Sequence, residues 1–174
     1  GKSYVAANLA ISQTLLDKKV VLVDLDIRKP ILATSFDLSS QGCLTSYLAD
    51  ESYSIEDTII KSSIKNLDII PAGIIPPNPS ELLQSDRLDA LLEELRQRYD
   101  YIILESAPTA IVSDTFLLNR IADLTIFVTR ANYTTFDLID SINQTHKQNR
   151  LPKMVAVLNG VKQKQTVYSY GHRV

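Results

Sequence analysis

The chain has 174 residues, 45% hydrophobic and 22% charged, with a formal net charge of −2; that length fits one domain able to bury a core without disulfides or a structural metal. So mild an acidic balance argues against a dedicated nucleic-acid binder, which would present a basic face. The single cysteine, Cys43, has no partner for an internal disulfide, so a reducing compartment is the natural reading, and no apolar run approaches the ~18 residues needed to span a bilayer.

The chain opens on Gly1-Lys2-Ser3 and runs directly into a helical pattern from Ser3 to Leu16, which turns Val5, Leu9, Ile11 and Leu15 or Leu16 inward. Lys19 to Asp24 then reads as a strand, as do Leu67 to Pro71, Tyr101 to Glu105, Leu124 to Thr129 and Met154 to Asn159. Their near-continuous apolar character suits strands covered on both faces. Ser80 to Arg98 is the clearest amphipathic helix, with Leu88, Leu91, Leu92 and Leu95 on one side. Further helices are expected at Asp114 to Ile121 and Thr135 to Asn149. The alternation predicts an α/β fold, a doubly wound and mainly parallel sheet with helices on both faces. Pro76-Pro77-Asn78-Pro79 is a rigid loop rather than a boundary, so residues 1–162 form one domain and 163–174 a C-terminal tail.

In such sheets ligands bind beyond the carboxyl ends of the strands, so the polar residues just after each strand carry the functional information. Gly1-Lys2-Ser3 matches the end of G-x-x-x-x-G-K-[ST], a loop whose backbone N–H groups surround phosphates. Its Lys reaches the β and γ oxygens and its Ser hydroxyl binds Mg²⁺. A chance tripeptide is the alternative. If the loop is real, its first glycine and the strand feeding it lie upstream of Gly1. Such a piece lacks part of its ATP site and of its core.

The most informative stretch is Val21-Leu22-Val23-Asp24-Leu25-Asp26-Ile27-Arg28-Lys29-Pro30. Asp24 and Asp26 are two apart, so both project to one face while strand geometry persists. Paired carboxylates beside a phosphate loop can support Mg²⁺ and accept a proton from a nucleophile. The bland alternative is a solvated strand end. Tyr101-Ile102-Ile103-Leu104-Glu105 is a second apolar strand ending in an acid, the pattern of a Walker B segment, with a surface acid as its alternative.

In this order the signatures resemble the cytoplasmic kinase domain of the bacterial tyrosine kinases of capsule and exopolysaccharide synthesis. Asp24-Leu25-Asp26-Ile27-Arg28 is similar to that family's D-x-D-x-R segment, Walker A′. Pro71-Ala72-Gly73 with Pro77-Asn78-Pro79-Ser80-Glu81-Leu82-Leu83, then Val112-Ser113-Asp114, then Val157-Leu158-Asn159-Gly160-Val161 match further stretches. The resemblance implies an ATP-dependent tyrosine autokinase using ATP and Mg²⁺. Gly1, Lys2, Ser3 and Tyr4 would line the phosphates, and Asn159 would help recognise adenine. Ser3, Asp26 and Glu105 would support the metal. Asp24 and Asp26 would share metal and general-base duty, with the base assigned to Asp24. Lys2 and Arg28 would stabilise phosphate charge, with a subunit contact as the other role for Arg28. Tyr168 and Tyr170 resemble the C-terminal tyrosine cluster phosphorylated by a neighbouring subunit.

The implied partners are subunits of a homo-oligomeric ring, a membrane-spanning polysaccharide co-polymerase domain or adaptor, and a tyrosine phosphatase, with no nucleic acid. The implied location is the cytoplasmic face of the bacterial inner membrane. Glu105 departs from the family, which usually has Asp there, and the tyrosine cluster is short. Two other readings stand beside this one: a partition- or septum-positioning-type ATPase switch, and a non-catalytic co-polymerase partner.

Overall fold

A computed structural model of the chain describes residues 1–36, 38, 42–108 and 119–162. Helix α1 (Lys2–Thr14) begins at once after Gly1 and leads to strand β1 (Val20–Asp24). Two short helices, α2 (Leu32–Ser35) and α3 (Leu44–Ala49), and a 3-10 turn at Glu56–Thr58 precede β2 (Ile60–Lys61) and β3 (Leu67–Ile70). There follow α4 (Pro79–Leu82), α5 (Asp86–Arg98), β4 (Tyr101–Glu105), β5 (Thr125–Arg130), α6 (Phe136–Lys147) and β6 (Met154–Asn159). Val112-Ser113-Asp114, most of the helix expected from Asp114, and the tail tyrosines Tyr168 and Tyr170 lie outside the described residues.

Two helical expectations need correction. The single helix expected from Ser80 to Arg98 is two, because Ser85 turns extended (φ −70, ψ 147) as the N-cap of α5. Its hydroxyl donates back to the Leu82 carbonyl at 2.8 Å, the local bonding that favours serine at helix boundaries over helix interiors. α5 itself buries Leu88, Leu91, Leu92 and Leu95, and places Asp86 and Asp89 in its first turn and Arg96 and Arg98 in its last, which complements the helix dipole. In α1 Ile11 packs inward as expected, but the end of the expected face does not. The helix stops at Thr14, leaving Leu15 and Leu16 82% and 68% exposed. Ala10 is fully buried, and Ala6, Ala7 and Ile11 pack beside it on the sheet. The small residues let α1 approach closely.

The strands form two sheets, of order β2-β3-β1-β4 and β5-β6. β1 lies parallel to β3 and β4, β5 lies parallel to β6, and only β2 pairs antiparallel, at an edge. β1 is buried along its whole length, and its side chains divide by face. Val21 and Val23 join the cluster containing Leu44 and Leu48 of α3 and the leucines of α5. Val20 and Leu22 join the cluster with Ala10 and Leu32 on the other face. Helices thus cover both faces, the doubly wound arrangement, and each buried Val or Leu contributes about 1.5–3 kcal/mol. Between β4 and β5 runs a groove of about 770 Å³, lined by Val5 and Leu9 of α1, Ile103, Ile126 and Val128.

Candidate active site

Asp24 ends β1 and Glu105 ends β4, and the two are register partners across the parallel pair. Asp24 is fully buried and Glu105 is 4% exposed. Two carboxylates so close and so dry cannot both ionise cheaply. Burial first, and the charge of Glu105 second, push the Asp24 carboxyl up to about 7. Burial likewise raises Glu105 above the ordinary carboxylate range, against the opposing pull of Ser3 and Lys2.

Asp26 reaches the same edge by a different route from the strand alternation expected of it. β1 stops at Asp24, and the chain turns: the Asp26 N–H donates to Asp24 Oδ1 at 3.0 Å, and the Lys29 N–H donates to Asp26 Oδ1 at 3.1 Å. The other Asp24 oxygen accepts from the Leu32 N–H at 3.4 Å. These side-chain-to-backbone bonds, typical of Asp in turns, fold the loop over its own carboxylates. Asp26 stays buried at 6% exposure, while Arg28 turns outward and donates to Ser80 Oγ at 3.1 Å, tying this loop to the Pro77–Leu83 stretch.

The phosphate-loop residues meet these acids. Ser3, in the first turn of α1, donates its hydroxyl to Glu105 Oε1. Lys2 is near enough for its charge to stabilise the Glu105 carboxylate. A Cβ built on Gly1 would lie 2.9 Å from Asn159 Nδ2, so the end of β6 abuts the start of α1. Tyr4, by contrast, is 66% exposed, one position past this junction. Gly1, Lys2, Ser3, Asp24, Asp26, Glu105 and Asn159 therefore gather at the carboxyl edge of the strands. Arg28 stands at its rim.

Glu105 Oε2 is buried and has no hydrogen-bond partner among the described residues. An orphaned carboxylate oxygen beside a serine hydroxyl and a second acid fits an oxygen-seeking divalent cation. Among the described residues no cluster of three or more His, Cys, Asp or Glu forms a metal cage of its own. Mg²⁺ commonly takes only one or two protein carboxylates and completes its shell with water and substrate phosphates.

Several organising residues are invisible in the sequence. Arg87 donates to the carbonyls of Tyr47 at 2.7 Å and Tyr53 at 3.1 Å, and its guanidinium lies 4.2 Å from the Tyr47 ring centroid, fastening α3 to α5. Gly73, at φ +93, is pressed so close to Cys43 that any side chain would collide with it. The loop there accepts the Leu44 and Thr45 N–H groups on the Pro71 and Ala72 carbonyls. Cys43 is a buried free thiol, 3.0 Å from Ser46 Oγ. No sequence signal marks Arg87, because its partners are backbone carbonyls 34–40 residues away.

Residues 1–154 match the family described as an AAA domain. Tyrosine-protein kinase YwqD of Bacillus subtilis is 36% identical over 171 residues, covering 98% of this chain and 72% of that protein. The chain belongs to the bacterial tyrosine-protein kinase family. Tyrosine-protein kinase wzc of Salmonella typhimurium is 34% identical over 175 residues, but there the chain spans only 24% of the relative's length. Among solved structures, the kinase domain of Escherichia coli tyrosine kinase ETK superposes with a TM-score of 0.85 at 32% identity, covering 98% of this chain and 67% of that one. The septum site-determining protein MinD of Pyrococcus horikoshii, complexed with Mg-ADP, reaches a TM-score of 0.70 at 19% identity over 91% of this chain and 64% of that one, which establishes a shared fold alone. As a member of the kinase family, the chain is classed as a protein tyrosine kinase with a P-loop fold. No helix among the described residues is long and apolar enough to cross a membrane.

Proposed function

We propose that this chain transfers the γ-phosphoryl group of ATP to tyrosine, at Tyr168 and Tyr170 of a neighbouring copy, in a capsule or exopolysaccharide assembly. The observation that carries the reading is the junction at the carboxyl edge, where Ser3 of the phosphate-loop motif bonds Glu105 and Glu105 pairs in register with the buried Asp24. Gly1 and Lys2 would cradle and neutralise the phosphates, Asn159 would meet the base, and Arg28 would approach the transferred group from the rim. Ser3, Asp26 and Glu105 would hold Mg²⁺, which when bound neutralises charge developing on the phosphate oxygens.

Asp24 suits the proton acceptor. A tyrosine phenol has a pKa of about 10, so its proton must pass to a positioned base as the phosphoryl group moves. Asp24 ends the buried strand beside Glu105, at the edge where the phosphate-loop residues gather, so its carboxylate is placed to take that proton. A membrane-spanning co-polymerase domain or adaptor would hold the assembly at the inner cytoplasmic face, and a phosphatase would reset it.

The test is incubation of the full-length protein with Mg²⁺ and ATP, followed by mass-spectrometric mapping. Phosphotyrosine at Tyr168 or Tyr170, abolished by changing both to Phe with ATP binding intact, is the expected outcome. ATP hydrolysis without phosphotyrosine, in an oligomeric preparation, would instead assign a nucleotide switch.

A further inference from the structure

The turn that follows β5 contains an arrangement that no role so far accounts for. Arg130 and Asn159 are register partners at the ends of β5 and β6, and the Ala131 N–H donates to the Asn159 carbonyl at 2.9 Å. The turn then closes tightly on itself. Arg130 O accepts from the N–H groups of Tyr133 and Thr134, at 3.2 and 3.0 Å, and the Arg130 N–H donates to Thr134 Oγ1 at 2.8 Å. Asn132 supplies the positive φ of 59° that such a reversal requires. So closed a turn fixes the backbone that carries Tyr133.

What it carries is an aromatic ring left open. Tyr133 is 77% exposed, and its ring lies 5.6 Å from the Arg130 guanidinium carbon. Arg130 in turn lies along Gly160, with its Cγ 3.4 Å from where a Gly160 Cβ would stand. Tyr133, Arg130, Gly160 and Asn159 therefore form one continuous edge, and Asn159 abuts Gly1 of the phosphate loop. The Asn159 side chain is itself oriented: its Oδ1 accepts from the Gly160 N–H at 2.8 Å, which leaves its amide nitrogen as a donor on the Gly1 side. A donor of that kind suits a ring nitrogen of a purine. An open aromatic face on the same edge suits the purine plane.

We propose that Tyr133, beside Arg130 in the turn after β5, is the stacking surface for the base of the bound nucleotide, on the same edge as the Asn159 amide. The inference rests on the nucleotide-binding reading above and adds the residues that would select a base. Phosphates and base are then handled by separate parts of the molecule: the junction of α1, β1 and β4 for the first, and the ends of β5 and β6 for the second.

The experiment is calorimetric titration of the full-length protein with Mg·ATP and, separately, with Mg·tripolyphosphate, which has the phosphates and no base. Tyr133→Ala should weaken ATP binding about tenfold, the scale of one aromatic–base stack, and leave tripolyphosphate affinity unchanged. Tyr133→Phe, which keeps the ring, should bind ATP as the parent does. An exposed side chain at a turn can be removed without unfolding the domain, and an unchanged melting temperature checks this. The proposal is overturned if Tyr133→Ala binds ATP like the parent, or if it loses tripolyphosphate as much as ATP. A parent protein that binds tripolyphosphate as tightly as ATP would overturn it while leaving the phosphate site standing. A parent that binds neither would remove the nucleotide reading and this proposal together.

Discussion

The strands Val20–Asp24 and Met154–Asn159 are nearly interchangeable as sequence: each is a run of apolar residues ending in a short polar side chain at the carboxyl edge. Their surroundings are opposite. Every residue of β1 is buried, whereas in β6 Val155, Val157 and Leu158 are 46%, 36% and 60% exposed. β1 sits between two paired strands and two helical layers. Among the described residues β6 has one paired neighbour, and α6 buries only Thr145. An apolar run thus states that a strand can be covered, and its neighbours decide whether it is. The chemistry follows the same division. The buried end of β1 raises the proton affinity of its carboxyl, while the open end of β6 keeps an amide available to a ligand.

The contrast predicts unequal costs for the same kind of truncation. Leu22→Ala should destabilise the fold by about 2–5 kcal/mol, because it removes buried atoms and leaves a cavity that the sheet cannot close. Val157→Ala should cost less than about 1 kcal/mol, because part of the side chain is already in water. Guanidinium unfolding of the two variants measures both. Equal losses would mean that β6 is covered in solution by something that shields it as fully as β1.

A second prediction concerns pH. The folded Asp24 carboxyl, at about 7, binds its proton more tightly than the unfolded one, near the ordinary 3.9. A raised carboxyl of this kind costs nothing while it is protonated in both states, below about pH 4. Stability then falls as pH climbs through the window from about 4 to 7, because the unfolded chain releases the proton more readily. The raised Glu105 works in the same direction. Unfolding free energy should therefore drop by a few kcal/mol between about pH 5 and pH 8, and Asp24→Asn should flatten that slope. A parent protein equally stable across the window would contradict the burial of the pair. Saturating Mg²⁺ should reduce the slope as well, since a bound cation favours the ionised carboxylates.

The smallest effect belongs to the β5–β6 side. The Thr135 side chain accepts the Leu138 N–H at 3.4 Å at the start of α6, a long cap bond on an exposed helix. Thr135→Ala should cost about 0.5–1 kcal/mol, measured as a shift in the unfolding midpoint.

How much of this was legible follows from how local each cause is. β4 and β6 fall where their apolar runs place them, and the α5 leucines lie on the predicted face, because a helix or strand period is written in adjacent residues. The pairing of Asp24 with Glu105 across the sheet is a tertiary fact, but the acids ending β1 and β4 were each readable as strand-end carboxylates. β2 was not, since a two-residue antiparallel edge strand carries no periodicity. The break at Ser85 was hidden by leucines that continue the helical spacing across it. The orientation of Asp26 was misread because strand alternation ends at Asp24, where the carboxylate itself captures the turn. Ser3 and Glu105, 102 residues apart, were both singled out, but their direct bond is a tertiary fact.

Kinetics separate the two regions most directly. Phosphotyrosine formation by the full-length protein can be followed over a range of ATP concentrations for the parent, Asp24→Asn and Tyr133→Ala. Asp24→Asn should lower kcat by about 10²–10⁴-fold, the usual contribution of a positioned base, with KM for ATP little changed. Tyr133→Ala should raise KM for ATP about tenfold and leave kcat near the parent value. Transfer by Asp24→Asn at the parent rate would contradict the assignment of the buried β1 carboxylate as the base.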